Sequence, residues 1–475
     1  MKLFNKLFHR IFSPDCLLKP EARLGELPGS GELYGSFFRV AWPSMLESAA
    51  SALTGFVDTM MVSSISSAAI STVGLTTQPR LLFFAIFFSL NAGIIAVVSR
   101  KKGKGDREGA NRVMHTGLSV CLLLSVLAFV VAYLVSIPLL RFAGAVGENA
   151  VLLEDARIYF LITVGGVCIN AFGLAINAAQ RACSNTAIAL RTSLISNVVN
   201  IIFNYLLING KFGFPRLEVT GAAIATLLGN IAACLWSILS VTGKHSYLRL
   251  RLRSLFRFDR SFLSMIGRVS AGAGAEQLFM RVGFFLFAKI VAQLGTDEFA
   301  THQICMTIIT LSFAFGDGLG VAGSAFVGQN LGADRPDLSE LYAKAARRIG
   351  LCISVVVAAL FWFGGDFLIS LFSDEEEIVR LGGKIMKIIA IVATMQIEQT
   401  IYTGCLRGAG DTRYTAVISF CSIGAIRPAL SYLLCYPLGL GVIGAWIALL
   451  LDQATRYVAS TLRFASGKWK TIRLG

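Results

Sequence analysis

A chain of 475 residues that is 55% hydrophobic and only 15% charged is not an ordinary soluble protein, which carries about 25% charged residues. The formal charge of +15 does not point to nucleic acid, because the basic residues sit in short connections between long apolar blocks. Ten cysteines, Cys121, Cys168, Cys234, Cys352 and Cys421 among them, are scattered with no CxxC pair and no metal-ligand spacing, so neither disulfides nor zinc are implied.

In chain order, segment 1–35 is a basic tail. Pro14-Asp15 interrupts its opening stretch, 1–11, before a signal-peptide core develops, and that stretch is placed at the membrane surface. Apolar runs at 36–63, 70–98, 114–140, 156–180, 191–209 and 219–243 follow. Each has roughly the twenty residues needed to cross ~30 Å of hydrocarbon. The basic stretch 244–261 reads as a linker, and runs at 262–294, 300–330, 349–373, 382–406, 414–436 and 440–464 predict six more spans before a second tail, 465–475. The fold class is therefore an all-α polytopic membrane protein with twelve transmembrane helices. Spans longer than about 25 residues must tilt, kink or protrude.

Basic residues gather in alternate connections, at 100–112, 244–260 and 335–348 and in both tails, whereas the opposite loops hold only Arg141, Lys211, Arg216 and Arg380. That asymmetry places both termini in the cytoplasm of a multi-pass inner-membrane protein. The acidic run Asp374-Glu375-Glu376-Glu377 falls on the other side as a solvated loop.

The two halves repeat. Arg39-Val40 with Glu47 matches Arg268-Val269 with Glu276; Gly105-Asp106-Arg107 matches Gly332 to Arg335; Arg181 matches Arg407; Tyr205-Leu206-Leu207 matches Tyr432-Leu433-Leu434; Gly221-Ala222 matches Gly444-Ala445. The offsets drift only from 229 to 223 residues, so six spans occur twice in the same orientation, related by an axis along the membrane normal. The expected organisation is an N-lobe, 36–243, and a C-lobe, 262–464, two pseudo-symmetric six-helix lobes around a central cleft suited to alternating access.

Charged groups at bilayer depth carry an insertion penalty of about 2.5–3.5 kcal/mol and are functional candidates. Glu47 and Asp58 in the first span differ by about 20° around the helix and roughly 16 Å along it, so both line one face. Glu47 is read either as a cation-coupling group or as the ion-pair partner of Arg39 or Arg268. Asp58 is the stronger cation-coupling candidate, with Thr59, Met60 and Met61 beside it. Asn170 and Asn177 share a face of the fourth span, and Asn197, Asn200 and Asn204 a face of the fifth. These stripes are either interhelix hydrogen-bonding groups or the polar wall of a cavity supporting Asp58. In the second half, Glu276 repeats Glu47, the eighth span carries Asp317, and the tenth carries Gln396, Glu398 and Gln399. Asp452 and Arg456 are spaced to satisfy each other. Arg281, Lys289 and Arg427 need partners that the sequence does not name, and His302 reads as structural. The four histidines are not grouped, so the chain is not read as an enzyme.

The chain resembles the MATE (multidrug and toxic compound extrusion) family over nearly its full length. The resemblance rests on Trp42-Pro43, Gly55-Phe56-Val57-Asp58-Thr59-Met60-Met61-Val62, 69–74, Val327-Gly328-Gln329-Asn330-Leu331-Gly332, 197–207 with Gly221-Ala222-Ala223, and above all Leu406-Arg407-Gly408-Ala409-Gly410-Asp411-Thr412-Arg413. It implies a secondary antiporter that exports organic cations or drugs in exchange for H+ or Na+, with no other cofactor. In the family, an aspartate on the first helix couples the cation, and Asp58 stands there. A glutamate on the seventh helix belongs to a C-lobe cation site in one branch and falls on Glu276, the one candidate Na+ position. Two departures remove carboxylates from the pattern. Asn204 stands where the family often has an aspartate, and the acid of the tenth helix falls near Gln396, with Glu398 two residues on. Both favour protons over sodium.

The expectation is then that protonation of Asp58 gates exchange, and that Glu276, Glu47 and Glu398 are further cation-coupling candidates. Asn170, Asn177, Asn200, Asn204, Met60 and Gln396 would line the cavity. The partners are small organic cations and the bilayer, not nucleic acid, and the chain is expected to act as a monomer. The alternative is a flippase or exporter of lipid-linked saccharides or another amphiphile, which would use cations such as Arg281, Lys289 and Arg427.

Overall fold

The computed structural model describes residues 13–63, 65, 67–143, 151–243, 246–256, 258–373 and 375–473. The surface-seeking stretch 1–11 and Asp374 of the acidic run fall outside the described residues. Among the described residues there are twelve long helices and no strand: α1 Ser30–Ser63, α2 Ser67–Gly103, α3 Arg107–Phe142, α4 Leu153–Ala182, α5 Thr186–Asn209, α6 Glu218–Thr242, α7 Arg260–Ala292, α8 Thr296–Gly332, α9 Pro336–Ser370, α10 Glu376–Ala409, α11 Thr412–Cys435 and α12 Gly441–Ala465.

By length and composition eight of these are long and apolar enough to cross a membrane. The other four are α1, α7, α10 and α12, and these carry Asp58, Glu276, Glu398, and Asp452 with Arg456. A charged helix enters hydrocarbon only when its polar groups turn inward or find partners. The helices that fall short are therefore those carrying the candidate acids Asp58, Glu276 and Glu398, whereas the candidate asparagines lie on α4 and α5, which pass.

Helices run past the apolar runs that announce them. Hydropathy detects only the part in hydrocarbon, and α9 begins at Pro336 with Asp337, Glu340, Lys344, Arg347 and Arg348 in its first turns. At 1.5 Å per residue its 35 residues extend roughly 52 Å, well beyond ~30 Å of hydrocarbon. Helix α11 opens into a π-helical stretch over Phe420–Ile426 before resuming at Arg427. Pro428 has no N–H for the carbonyl of Gly424, so a regular α-turn cannot close there, and a wider turn accommodates the ring.

The chain forms two compact units, Ala49–Val98 with Asp106–Ser270, and Met1–Ser48 with Ser99–Gly105 and Ala271–Gly475. In the first unit a polar ladder joins α4 to α6 at a constant register. Asn170 Nδ2 donates to Asn230 Oδ1 at 3.0 Å, Ser237 Oγ to Asn177 Oδ1 at 3.2 Å, and Gln180 Nε2 to Ser240 Oγ at 3.4 Å. Each pair is sixty residues apart, as expected of two parallel helices in fixed alignment.

In the second unit α8 and α10 meet through small residues. A Cβ on Gly404 would lie 2.4 Å from Gly320 O, and one on Gly408 would lie 2.2 Å from Ser324 O. This is the small-residue spacing by which membrane helices bring their backbones together. It sets Arg407, between those two glycines in register, against the core of the unit. Gly410 then ends α10 in the left-handed region, φ 88°, where glycine is unstrained.

Candidate functional site

Asp58 lies on the second half of α1, and the first unit builds its surroundings from four further helices. A small apolar cluster of Val62, Ala69, Tyr159, Ile208, Ala222 and Ala223 is buried one turn away. Above it, Asn204 Nδ2 of α5 donates to Asp58 Oδ1 at 2.7 Å. Asn200, one turn earlier, has an amide terminal atom 2.7 Å from the same Oδ1. With its nitrogen turned there, Asn200 donates to Asp58 while its oxygen accepts from Thr226 N of α6 at 3.3 Å. Both asparagines are buried, 5% and 2% exposed for Asn200 and Asn204, so these amides face one another and Asp58 rather than water. Arg80 on α2 and the buried Tyr159 on α4 are close enough to act on Asp58 electrostatically. The site is a single carboxylate held by two amides, with a cation on the next helix.

The acids of the second unit are placed differently. Glu276 on α7 is 3% exposed. It accepts from Arg407 Nη2 at 2.5 Å and Nε at 3.2 Å, and from Thr415 Oγ1 at 2.8 Å. Asp317 on α8 is exposed, yet near enough to Arg407 for their charges to interact. Glu398 on α10 pairs with Arg347 Nε of α9 at 2.9 Å, and the same guanidinium donates to Tyr457 OH at 2.9 Å and Tyr402 OH at 3.4 Å. Asp452 Oδ2 accepts from Arg427 Nε at 2.9 Å and Nη2 at 2.5 Å. Arg456 lies farther off, 3.9 Å from Oδ1, and bonds to Gln453 Oε1 instead. The spacing argument that paired Asp452 with Arg456 therefore named the lesser contact. Arg427 also lies over the Phe284 ring, 4.8 Å from its centroid.

The remaining sequence-derived residues fall in several places. Asn170 and Asn177 bond across to α6, as interhelix pairs. Gln396 Oε1 accepts from Ser312 Oγ of α8 at 2.7 Å and is fully buried. Met60 is exposed, at 57%. Glu47 is half-buried on the part of α1 that packs with the second unit. Arg281 is half-buried and Lys289 exposed on α7. Sequence reasoning passed over Arg80, whose signal was an arginine beside Pro79 in the middle of an apolar run, and Thr226, whose place beside Asn200 no spacing rule reveals.

Known proteins share this fold. A family profile described as MatE matches residues 43–206 and 273–433. The chain is 26% identical over 440 residues to a probable multidrug resistance protein NorM from Thermotoga maritima, covering 92% of this chain and 94% of that one. It is 23% identical over 435 residues to an uncharacterized transporter, YisQ, from Bacillus subtilis, covering 91% and 94%. Among solved structures it superposes with a TM-score of 0.84 on an outward-facing multidrug resistance MATE family transporter of the MOP superfamily, at 21% identity over 92% of this chain and 97% of that one. A MOP superfamily transporter from Pyrococcus furiosus, described as having a binding pocket of reverse polarity, superposes with the same TM-score of 0.84 at 21% identity, over 94% and 100%.

Proposed function

The chain belongs to the MatE family, and from that premise we propose that it is a multidrug efflux antiporter that exchanges organic cations for protons through Asp58. It would lie in the inner membrane with both termini in the cytoplasm.

The observation that carries this reading is the contact between Asp58 and Asn200. With the amide oxygen 2.7 Å from Asp58 Oδ1, the contact is bonding only if the acid is protonated and donates. With the amide nitrogen there, it is bonding when the acid is ionised, because a carboxylate only accepts. Both asparagines are neutral donors to Asp58 Oδ1, so they hold the ionised acid without a positive charge that would oppose its protonation. A buried carboxylate tied permanently to arginine has no such freedom. Among the described residues Asp58 has no basic group at ion-pair distance, whereas Glu276, Glu398 and Asp452 each have one. Asp58 is the acid equipped to change state.

The cycle follows. Ionised Asp58 attracts a cationic substrate from the cytoplasm; a proton arriving from outside neutralises the acid and releases the substrate there. One charge moving through 100 mV is worth ~2.3 kcal/mol, and each tenfold concentration ratio requires about 1.4 kcal/mol. One proton can then sustain roughly a fortyfold gradient of a neutral substrate. For a monovalent cation exchanged one for one the voltage cancels, and only the pH gradient drives export. The Na+ alternative at Glu276 is disfavoured by the donor set, because Arg407 and Thr415 already occupy both carboxylate oxygens. The flippase alternative loses one of its three cations, because Arg427 is bound to Asp452.

Ethidium efflux from cells expressing the protein tests the reading when the proton and sodium gradients are collapsed separately. Collapse of the proton gradient is expected to stop efflux, and removal of the sodium gradient to leave it unchanged. Efflux that survives the first and fails in the second would reassign the coupling ion.

A further inference from the structure

We propose that the linker and the start of α3 form a binding site for the phosphate of an anionic phospholipid headgroup. The site is a cavity of about 850 Å³ whose lining includes Arg107, Arg112, Arg249, Arg251 and Arg260 with His115. It lies within the first unit, apart from Asp58, and the inference does not depend on which ion is coupled.

The cavity is built rather than incidental. Residues one turn apart on α3 hold the linker by its backbone. Arg107 Nε and Nη2 donate to Tyr247 O and Ser246 O at 2.9 and 2.8 Å. Asn111 Oδ1 accepts from Arg249 N at 2.7 Å, His115 Nε2 from Arg251 N at 2.9 Å, and Ser119 Oγ from Phe256 N at 2.9 Å. His115 Nδ1 lies 2.6 Å from Asn111 O, which fixes the ring with Nδ1 as the donor and Nε2 as the acceptor. Leu248 is fully buried, while Arg249 and Arg251 are exposed. The wall of the cavity therefore carries outward guanidinium groups on a backbone that α3 holds in place.

Two carboxylates also line it, and each is engaged locally. Glu108 bonds to Arg112 at 3.2 Å, and Asp259 accepts from Ser261 N at 2.9 Å at the start of α7. The five arginines leave a positive excess that suits a phosphate, which arginine binds through paired N–H donors.

A free phosphate and a lipid phosphate share this chemistry, and the neighbouring residues favour the lipid. Phe256 and Phe258 are 59% and 44% exposed beside the arginines, and Phe256 N bonds to Ser119 of α3, a helix apolar enough to cross a membrane. A soluble anion gains nothing from exposed rings there, whereas a phospholipid places its acyl boundary against them and its phosphate against the arginines. Under the orientation proposed above, this is also the cytoplasmic surface, where anionic lipids attract basic segments.

Native mass spectrometry of the purified full-length protein tests this, with phosphatidylglycerol, phosphatidylcholine or inorganic phosphate added separately. The protein should bind phosphatidylglycerol at least about tenfold more tightly than phosphatidylcholine. Arg251→Gln with Arg260→Gln should weaken phosphatidylglycerol binding about 25-fold, roughly fivefold for each basic residue at a membrane surface, and leave phosphatidylcholine unchanged. Both side chains are exposed, so the backbone contacts to α3 stay intact; if that variant does not fold, Arg112→Gln provides the same arm at about fivefold. Phe256→Ser with Phe258→Ser should weaken the lipid and leave inorganic phosphate unaffected. Equal binding of the two lipids, or indifference to the arginine substitutions, would overturn the proposal. So would millimolar phosphate displacing phosphatidylglycerol while the phenylalanine substitutions change nothing, which would indicate a soluble-anion site.

Discussion

Asp58→Asn is expected to abolish coupled export while leaving the protein inserted in the membrane at its normal level. Asparagine keeps the size of the side chain and can still accept from Asn204, so packing against Val62, Tyr159 and Ala222 is preserved. The lost property is exchange of a proton at constant shape. Without that exchange nothing drives accumulation, so the drug gradient maintained against the pH gradient should fall to none, a loss of about tenfold for each pH unit imposed when a monovalent cation is exchanged one for one. Resistance of expressing cells and ethidium accumulation both read this, with immunoblotting of membranes as the control for insertion. Parental export by the variant would remove Asp58 from the mechanism.

The second large effect belongs to Glu276 and Arg407 and is one of stability. Their side chains are 4% and 21% exposed, so replacing either alone strands a buried charge, at a penalty of about 3–5 kcal/mol. Glu276→Ala should also remove one of the two acceptors of Thr415 Oγ1, leaving Thr412 O at 3.0 Å. Glu276→Gln combined with Arg407→Gln should recover much of the loss, because no lone charge is left. Thermal denaturation in detergent of the two single variants and the double variant measures this cycle. If Glu276 were instead the coupling group, Glu276→Gln would abolish proton-driven export with the denaturation midpoint unchanged. The account predicts the reverse: a lowered midpoint, with the surviving export still responding to pH.

Much of the fold could be read in the sequence because bilayer thickness imposes a length on every apolar run. The long helices were legible even where charges interrupt them, as in α1, α7, α10 and α12. Their ends were not, because α9 continues through Lys344 and Arg347 on hydrogen bonding alone, and hydropathy does not register it. The π-helical turn of α11 was hidden because Pro428 in an apolar run is compatible with a kink, a break or a widened turn.

At the site, helical angles placed Asn200 and Asn204 on one face but could not say what that face meets. Asp58 is 146 residues from Asn204. The partners of the second-unit acids were equally remote: Arg407 lies 131 residues from Glu276 and Arg347 lies 51 from Glu398. Local spacing instead favoured Asp452 with Arg456, where a guanidinium 25 residues away, Arg427, sits closer. Pairing across helices is decided by tertiary packing, which the small-residue contacts of Gly404 and Gly408 set and no periodicity announces. The motif around Arg407 becomes intelligible only in that light. One of its glycines permits close approach, another caps the helix, its arginine binds Glu276, and Asp411 binds Arg463 at 2.7 Å.

Everything about transport turns on one acid exchanging a proton for a substrate, and proton release on substrate binding measures that directly. Purified protein in weakly buffered detergent, mixed with ethidium at a pH where Asp58 is protonated, should release about one proton per ethidium bound, as linkage between the two ligands requires. Asp58→Asn should release none. Ethidium binding with no proton released by the parental protein, or equal release by the variant, would contradict the account.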